Sequence, residues 1–336
     1  MHLTAETSTG GLLGRLAIML LVLLPACGRR QPLETREVRF AIALVGTKND
    51  DPTWQAVRAG ATRFSNEVTG LDLRKILPRS ATPVAQETAL QALGRRDPPQ
   101  AVCILAIHAD ALVQPINKLR ASNLHVVLVG DDTLQARRHL YVGPDEEAVG
   151  AAVAKTLAAA CESRRTVMVV HDNRGDRRSD LRHKGLTSEW RRNAHVTVLR
   201  DFDCLGKRKQ ALKFLYETSE RYPNLGGWAL IGDWLRDDLP ADKPLIHGAA
   251  KIVSCGAHPG GFHLLEAGRI DALVGVDWED LGYRALQACY QLLSLSAVPT
   301  RDYYAPPIVI TRENLPAHRK KWRDIMSAPS SQPAPR

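Results

Sequence analysis

The reactive side chains of this 336-residue chain form no catalytic pattern that sequence alone can recognise. There is no Gly-x-Ser-x-Gly turn to raise a serine nucleophile and no His-Glu-x-x-His pair to hold zinc. No glycine-rich loop is patterned to cradle phosphates. Asp51, Asp131 and Asp277 could meet as paired carboxylates and act as acid and base on a glycosidic bond, but only their positions support that reading. His108 and His258 lack metal-ligand spacing, so no metal and no cofactor is expected, and the chain reads as a non-enzyme. Six cysteines are present. Cys27 follows an N-terminal apolar run, and the other five show no Cys-x-x-Cys spacing. Cys103, inside Ala-Val-Cys-Ile-Leu, reads as a small buried hydrophobe. A Cys204–Cys255 bridge is one option in an oxidising compartment.

The context of Cys27 is more telling. Arg15 precedes the apolar run Leu16–Leu24, which is too short to span a bilayer and has the length of a signal-peptide core. The run closes on Leu24-Pro25-Ala26-Cys27-Gly28, which resembles the lipobox of bacterial lipoproteins. The resemblance implies that residues 1–26 are a signal peptide and that the Cys27 thiol carries a diacylglyceryl group. Cleavage would then leave Cys27 as the new N-terminus. Two or three acyl chains hold a protein durably, at about 0.8 kcal/mol per buried CH2. Glu6 and Pro25 depart from the usual pattern. Residues 27–37 are polar and read as a tether whose Arg29 and Arg30 lie near anionic headgroups. The expected location is the bacterial cell envelope, lipid-anchored on its extracytoplasmic face. The formal charge of +9 comes from scattered arginines, and no basic cluster with interleaved aromatics points to nucleic acid.

Short apolar runs recur along the body. They are Val38–Val45, Leu71–Leu77, Ala101–Leu105, His125–Val129, Thr166–His171, His195–Phe202, Gly227–Ile231, Lys251–Cys255 and Ala272–Val276. Most lack alternation, which suits strands buried on both faces of a parallel sheet. Helical patterns separate them, beginning with the one that Pro52-Thr53-Trp54 opens and ending with Leu281–Leu293. This rhythm predicts an α/β fold of doubly wound parallel sheets.

From Val38 to Leu315 the chain resembles the sugar-type, type I periplasmic binding proteins, the group of ribose- and galactose-binding proteins. The resemblance rests on short segments in order. They include Asp51-Pro52-Thr53-Trp54 with Gly60, Tyr141-Val142-Gly143-Pro144-Asp145 with Gly150, and Arg182-His183-Lys184-Gly185-Leu186. Asp201-Phe202-Asp203, Gly282-Tyr283 and Ile308–Leu315 follow. The resemblance implies two Rossmann-like domains joined by three hinge crossings, with ligand in the cleft at the carboxyl ends of the strands. It divides the chain into residues 38–131 with 277–302, and 133–276 with 303–315. Residues 316–336 are left as a partly disordered extension, Ser/Pro/Ala-rich from Ser327 onward.

The same resemblance supplies a ligand set. Trp54 and Phe202 fall at aromatic positions, and Arg182 falls on a ligand-contacting arginine. Asp51 replaces an asparagine and His108 an aspartate, while Asp233 stands beside Gly232, where an asparagine is expected. Asp131 and Asp277, at the ends of the first-domain segments, complete the set. Gly256 and Val276 occupy positions where the family carries aspartate and glutamine. Trp54 could instead pack its helix on the sheet, and Phe202 could be ordinary core. Sugars are held by aromatic faces and by planar side chains that pair with vicinal hydroxyls. The implied function is capture of a sugar-like small molecule, delivered by a monomeric binding protein to an ABC permease. The alternative is a lipid-anchored sensor or scaffold read by a membrane receptor. The retained Arg182 favours an acidic sugar, because a guanidinium holds a carboxylate bidentately.

Overall fold

The computed structural model describes residues 40–93, 97–161, 166–192, 196–235, 239–240, 242–294 and 301–327. Cys27, the expected signal peptide and tether, and residues 328–336 of the tail lie outside them. The chain opens with β1 (Phe40–Val45), α1 (Pro52–Glu67), β2 (Leu71–Ile76), α2 (Pro83–Ala92), β3 (Ala101–Leu105), α3 (Val113–Ala121), β4 (His125–Val129) and β5 (Leu140–Pro144). It continues through α4 (Glu146–Ala160), β6 (Thr166–His171), α5 (Arg177–Arg192), β7 (Thr197–Asp203), α6 (Arg208–Arg221), β8 (Gly227–Leu230) and β9 (Lys251–Cys255). It closes with α7 (Phe262–Glu266), β10 (Ala272–Gly275), α8 (Trp278–Ser294), β11 (Tyr303–Ala305), β12 (Ile308–Thr311) and α9 (Leu315–Ser327).

Two sheets result, ordered β11-β5-β4-β3-β1-β2 and β12-β10-β9-β8-β6-β7. Every pairing is parallel except β10 with β12. Central strands such as β3 are buried at every residue, which explains their unbroken apolar sequence. The edge strand β7 is exposed over Thr197–Arg200 and only half-buried at its end. Among the described residues the chain passes between sheets after β5, after β10 and after β11. This is the two-domain, three-crossing α/β architecture expected from the sequence.

Two of the three crossings fall later than the sequence suggests. β5 pairs with β4, and β11 pairs with β5, so residues 140–144 and 303–305 belong to the first sheet. Arg138 fixes this corner. It donates bidentately to Asp132 and to Asp302, and the Asp302 carboxylate also accepts the Tyr141 N–H at 2.8 Å. The expected boundary residues are therefore tied together inside the first lobe. Much of the expected C-terminal extension is also ordered: α9 buries Leu315, Trp322 and Ile325.

Each lobe centres on one pair of helices in backbone contact. A Cβ added at Gly60 of α1 would lie 1.8 Å from the Glu279 carbonyl of α8, and one at Gly282 would lie 2.0 Å from the Val57 carbonyl. In the second lobe, a Cβ at Gly150 of α4 would lie 1.8 Å from the Arg182 carbonyl of α5, and one at Gly185 would lie 1.9 Å from the Glu147 carbonyl. These four glycines all lie in the family-like segments, and close approach is their physical reason. Cys204 and Cys255 are free thiols, not a bridge. Cys103 is buried as expected, with its Sγ 3.2 Å from that of Cys289.

Candidate functional site: the interlobe cleft

Strand ends dictate where the polar residues gather. Thr47 and Lys48 follow β1, Gly130 and Asp131 follow β4, and Asp172 follows β6. Asp233 follows β8, His258 follows β9 and Val276 follows β10. All of them line one cleft of about 840 Å³ at the carboxyl ends of both sheets, where this sheet type places ligands. A side cavity of about 80 Å³ adjoins it, lined by His108 together with Asp131, Asp172, Arg178 and Arg182.

On the first-lobe wall, carboxylates organise backbone. Asp51 caps α1: its Oδ1 accepts the Thr53 N–H at 2.9 Å, and its Oδ2 accepts the Thr47 hydroxyl at 2.5 Å. Asp131 Oδ2 accepts the Ala109 N–H at 2.8 Å, and its Oδ1 lies 3.4 Å from Arg178. Gly130 has φ +78°, and a Cβ there would press within 2.9 Å of the Trp278 ring, which borders the cleft.

On the second-lobe wall, side chains hold side chains. Arg178 and Arg182, one turn apart on α5, point toward Glu146 in the first turn of α4. Arg182 Nε donates to Glu146 Oε2 at 2.6 Å, Nη2 donates to Oε1 at 3.2 Å, and Nη1 reaches the Ile231 carbonyl at 3.2 Å. Burial alone would lower the Arg182 pKa, but Glu146 outweighs it and raises it above the ordinary value, so the guanidinium stays charged. His258 accepts the Gly260 N–H at Nδ1, 3.1 Å away. Its Nε2 is therefore the protonated nitrogen, and it donates to Asp233 at 2.7 and 2.9 Å. Gly256, with φ +112°, lies against this pair: a Cβ there would sit 2.6 Å from Asp233 Oδ1. Gly256, where the resemblance led us to expect an aspartate, thus makes room for the Asp233 carboxylate.

The structure brings together Asp51, Asp131, Arg182 and Asp233 in the cleft and His108 in its side cavity. It does not bring the other three. Trp54 is 1 % exposed and packs its ring against Gly46, among the core of the first lobe. Phe202 stacks on Phe214 at 3.9 Å, at the edge of the second-lobe core. Asp277 caps α8 through the Glu279 and Asp280 N–H groups and pairs with Lys321 at 2.5 Å. Among the cleft residues that sequence reasoning left out of the set are Lys48, Asp50, Asp172, Arg178, His258 and Trp278. Their common signal is position: each lies within the few residues after a strand, or in the first turns of the helix that follows it.

Residues 42–296 match the family described as periplasmic binding protein domain. No curated protein shows a significant sequence match. Among solved structures, the chain is similar to AraP, an arabinose-binding protein from Geobacillus stearothermophilus. The TM-score is 0.70 at 18% identity, over 83% of this chain and 99% of that one. It is also similar to GanP, a glucose-galactose binding protein from the same organism, with TM-score 0.67 at 21% identity over 83% and 99%. The fructose-binding periplasmic domain of a hybrid two-component system gives TM-score 0.67 at 15% identity over 86% and 96%. These likenesses are of fold. The family match covers most of the chain and all but the last crossing between its two sheets, so this chain belongs to the periplasmic binding protein family.

Proposed function

We propose that this protein is an extracytoplasmic solute-binding protein that captures a carbohydrate-like molecule in the interlobe cleft and presents it to an ABC permease. The observation that carries the reading is the cleft itself. It is of ligand size, sits at the strand ends of two lobes, and is lined by carboxylates, two arginines and an indole. Lined by Asp50, Asp51, Asp131, Asp172 and Asp233 against Lys48, Arg178 and Arg182, it is richer in carboxylates than in cations. Arg182 is already bidentate with Glu146. Both features favour a neutral polyhydroxylated ligand and remove the support for an acidic sugar. Asp51, Asp131, Asp172 and Asp233 are the acceptors for its hydroxyls, and Trp278 is the stacking face.

Thermal-shift titration of the protein with pentoses, hexoses, polyols and uronic acids tests this. A saturable rise for a neutral sugar is expected, since a ligand at 100 times its Kd stabilises by about 2.7 kcal/mol. A rise confined to uronic acids, or none with any of these compounds, would refute the proposed ligand class. The family-like N-terminus extends the proposal to anchoring. Fatty-acid labelling should vanish in Cys27→Ser, and labelling that persists would refute the lipid link.

A sensor read by a membrane receptor is the second reading, favoured by the fold shared with a two-component periplasmic domain. Ligand-dependent binding to a reconstituted permease supports import. Ligand-dependent binding to a receptor's periplasmic domain supports sensing.

A further inference from the structure

Behind the second-lobe wall lies a cluster that the cleft chemistry does not use. His171 ends β6, His183 lies on α5, and Asp201 lies on β7. His171 Nε2 approaches Asp201 Oδ1 at 2.6 Å, and His183 Nε2 approaches Asp201 Oδ2 at 2.9 Å. One ligand atom from each residue lies within 4.8 Å of the others, and the imidazole centroids are 4.3 Å apart. His171 is 1 % exposed, yet both of its ring nitrogens and Asp201 Oδ1 are buried without a hydrogen-bond partner. The 2.6 Å approach therefore lacks hydrogen-bond geometry. Two buried atoms able to ligate a metal thus lie close together without a well-formed hydrogen bond between them.

We propose that His171, His183 and Asp201 bind one divalent transition-metal ion of the zinc class, with water completing the shell. Two imidazoles and a carboxylate form the donor set that borderline ions prefer, and a three-residue set leaves a position for water. Bonds of about 2.0–2.2 Å in a tetrahedron hold neighbouring donors about 3.3 Å apart, so His171 Nε2 and Asp201 Oδ1 separate by about 0.7 Å on loading. Arg174 Nη2 lies 3.2 Å from Asp201 Oδ2 and opposes a dication. Its side chain is 52 % exposed and can swing into water. His183, 32 % exposed, marks the way in. His171 precedes Asp172 and His183 follows Arg182 in the chain, so the ion would pin the β6–α5–β7 corner that carries the second-lobe wall.

The test uses the full chain, stripped with a chelator and titrated with Zn2+ by calorimetry and with Co2+ by visible absorption. The expected result is one ion per chain, a raised Tm, and a four- or five-coordinate Co2+ spectrum with no thiolate charge-transfer band. His183→Gln and Asp201→Asn should each weaken uptake at least tenfold, in the range found for disturbed metal sites. His183→Gln is partly exposed and should keep the metal-free Tm, so loss of uptake there is not loss of fold. The proposal is overturned if the wild type takes up no stoichiometric Zn2+ at micromolar free metal. It is overturned equally if His183→Gln binds Zn2+ as the wild type does.

Discussion

The two lobes share a packing device and differ in what it carries. In the first lobe, α1 and α8 meet at Gly60 and Gly282, and the charged residues beside the contact are partly solvated. Arg63 lies 3.3 Å from Glu279 and over the Tyr283 ring, and Tyr283 packs edge-on to Phe64. In the second lobe, α4 and α5 meet at Gly150 and Gly185, and the contact delivers the buried Glu146–Arg182 pair to the cleft. The backbone contact is therefore a general solution to bringing two helices together on one sheet. The charges placed on it decide what each wall can recognise. Histidine pairs repeat the lesson. The rings of His125 and His139 lie tilted with centroids 4.5 Å apart in the first lobe beside Arg120, whereas His171 and His183 flank a carboxylate in the second.

The largest expected effect breaks the device itself. Gly150→Val and Gly282→Val place methyl groups into backbone carbonyls, where no rotamer change relieves the clash. Each should cost more than about 4 kcal/mol, read as loss of cooperative unfolding in urea. If one lobe tolerates its substitution, the two contacts are not equivalent. Glu146→Gln sharpens the charge difference, since it leaves Arg182 buried beside a neutral amide. A loss of about 3 kcal/mol is expected, and most of it should return in the Glu146→Gln/Arg182→Gln double variant, measured by denaturant midpoints.

Smaller effects separate packing from binding. Trp278→Ala should weaken sugar binding by about 1–2 kcal/mol with little change in Tm, because its ring borders the cleft. Trp54→Ala should do the reverse, destabilising the fold while the folded fraction binds normally, because Trp54 lies in the core. Calorimetric titration of both variants decides it. The smallest effect concerns His139, whose pKa is lowered from 6.5 to about 4 by burial, then by Arg120 and His125. The native state refuses a proton that the unfolded chain accepts, so this contribution to stability is full above pH 6.5 and is lost as pH falls toward 4. In His139→Gln the Tm should therefore fall less steeply between those pH values, and an unchanged slope would place the acid sensitivity elsewhere.

Much of the architecture was legible in the sequence, because parallel strands buried on both faces need unbroken apolar runs such as Ala101–Leu105 and His125–Val129. β5 and β11 were harder. Leu140–Pro144 contains glycine and proline, and Tyr303–Ala305 is three residues long, so neither gives a period to read. Sheet membership, which sets the lobe boundaries, is a long-range fact that no local pattern encodes. The site divides in the same way. Asp51, Asp131, Arg182 and Asp233, taken from the family-like segments, all line the cleft. For Trp54 and Phe202 the core alternative holds, because an aromatic near the end of a strand or at the start of the next helix can face either the cleft or the core. Gly256 could not be interpreted until the Asp233–His258 pair was seen beside it. The histidines behind the wall come from β6 and α5, and the aspartate from β7, so their convergence is invisible to spacing rules.

The last helix ties these parts into a machine with adjustable stiffness. α9 buries Trp322 and Ile325 in the second-lobe core, while its Lys321 reaches Asp277 at 2.5 Å and Glu279 at 3.1 Å, at the start of the first-lobe helix α8. Any rotation of one lobe against the other must stretch this doubly paired ammonium. Since its partners are partly solvated, dissolved salt competes for them. A paired ammonium thus bridges the two lobes, and if they rotate against each other on binding, as the proposed function requires, that motion should respond to ionic strength even when the ligand is uncharged.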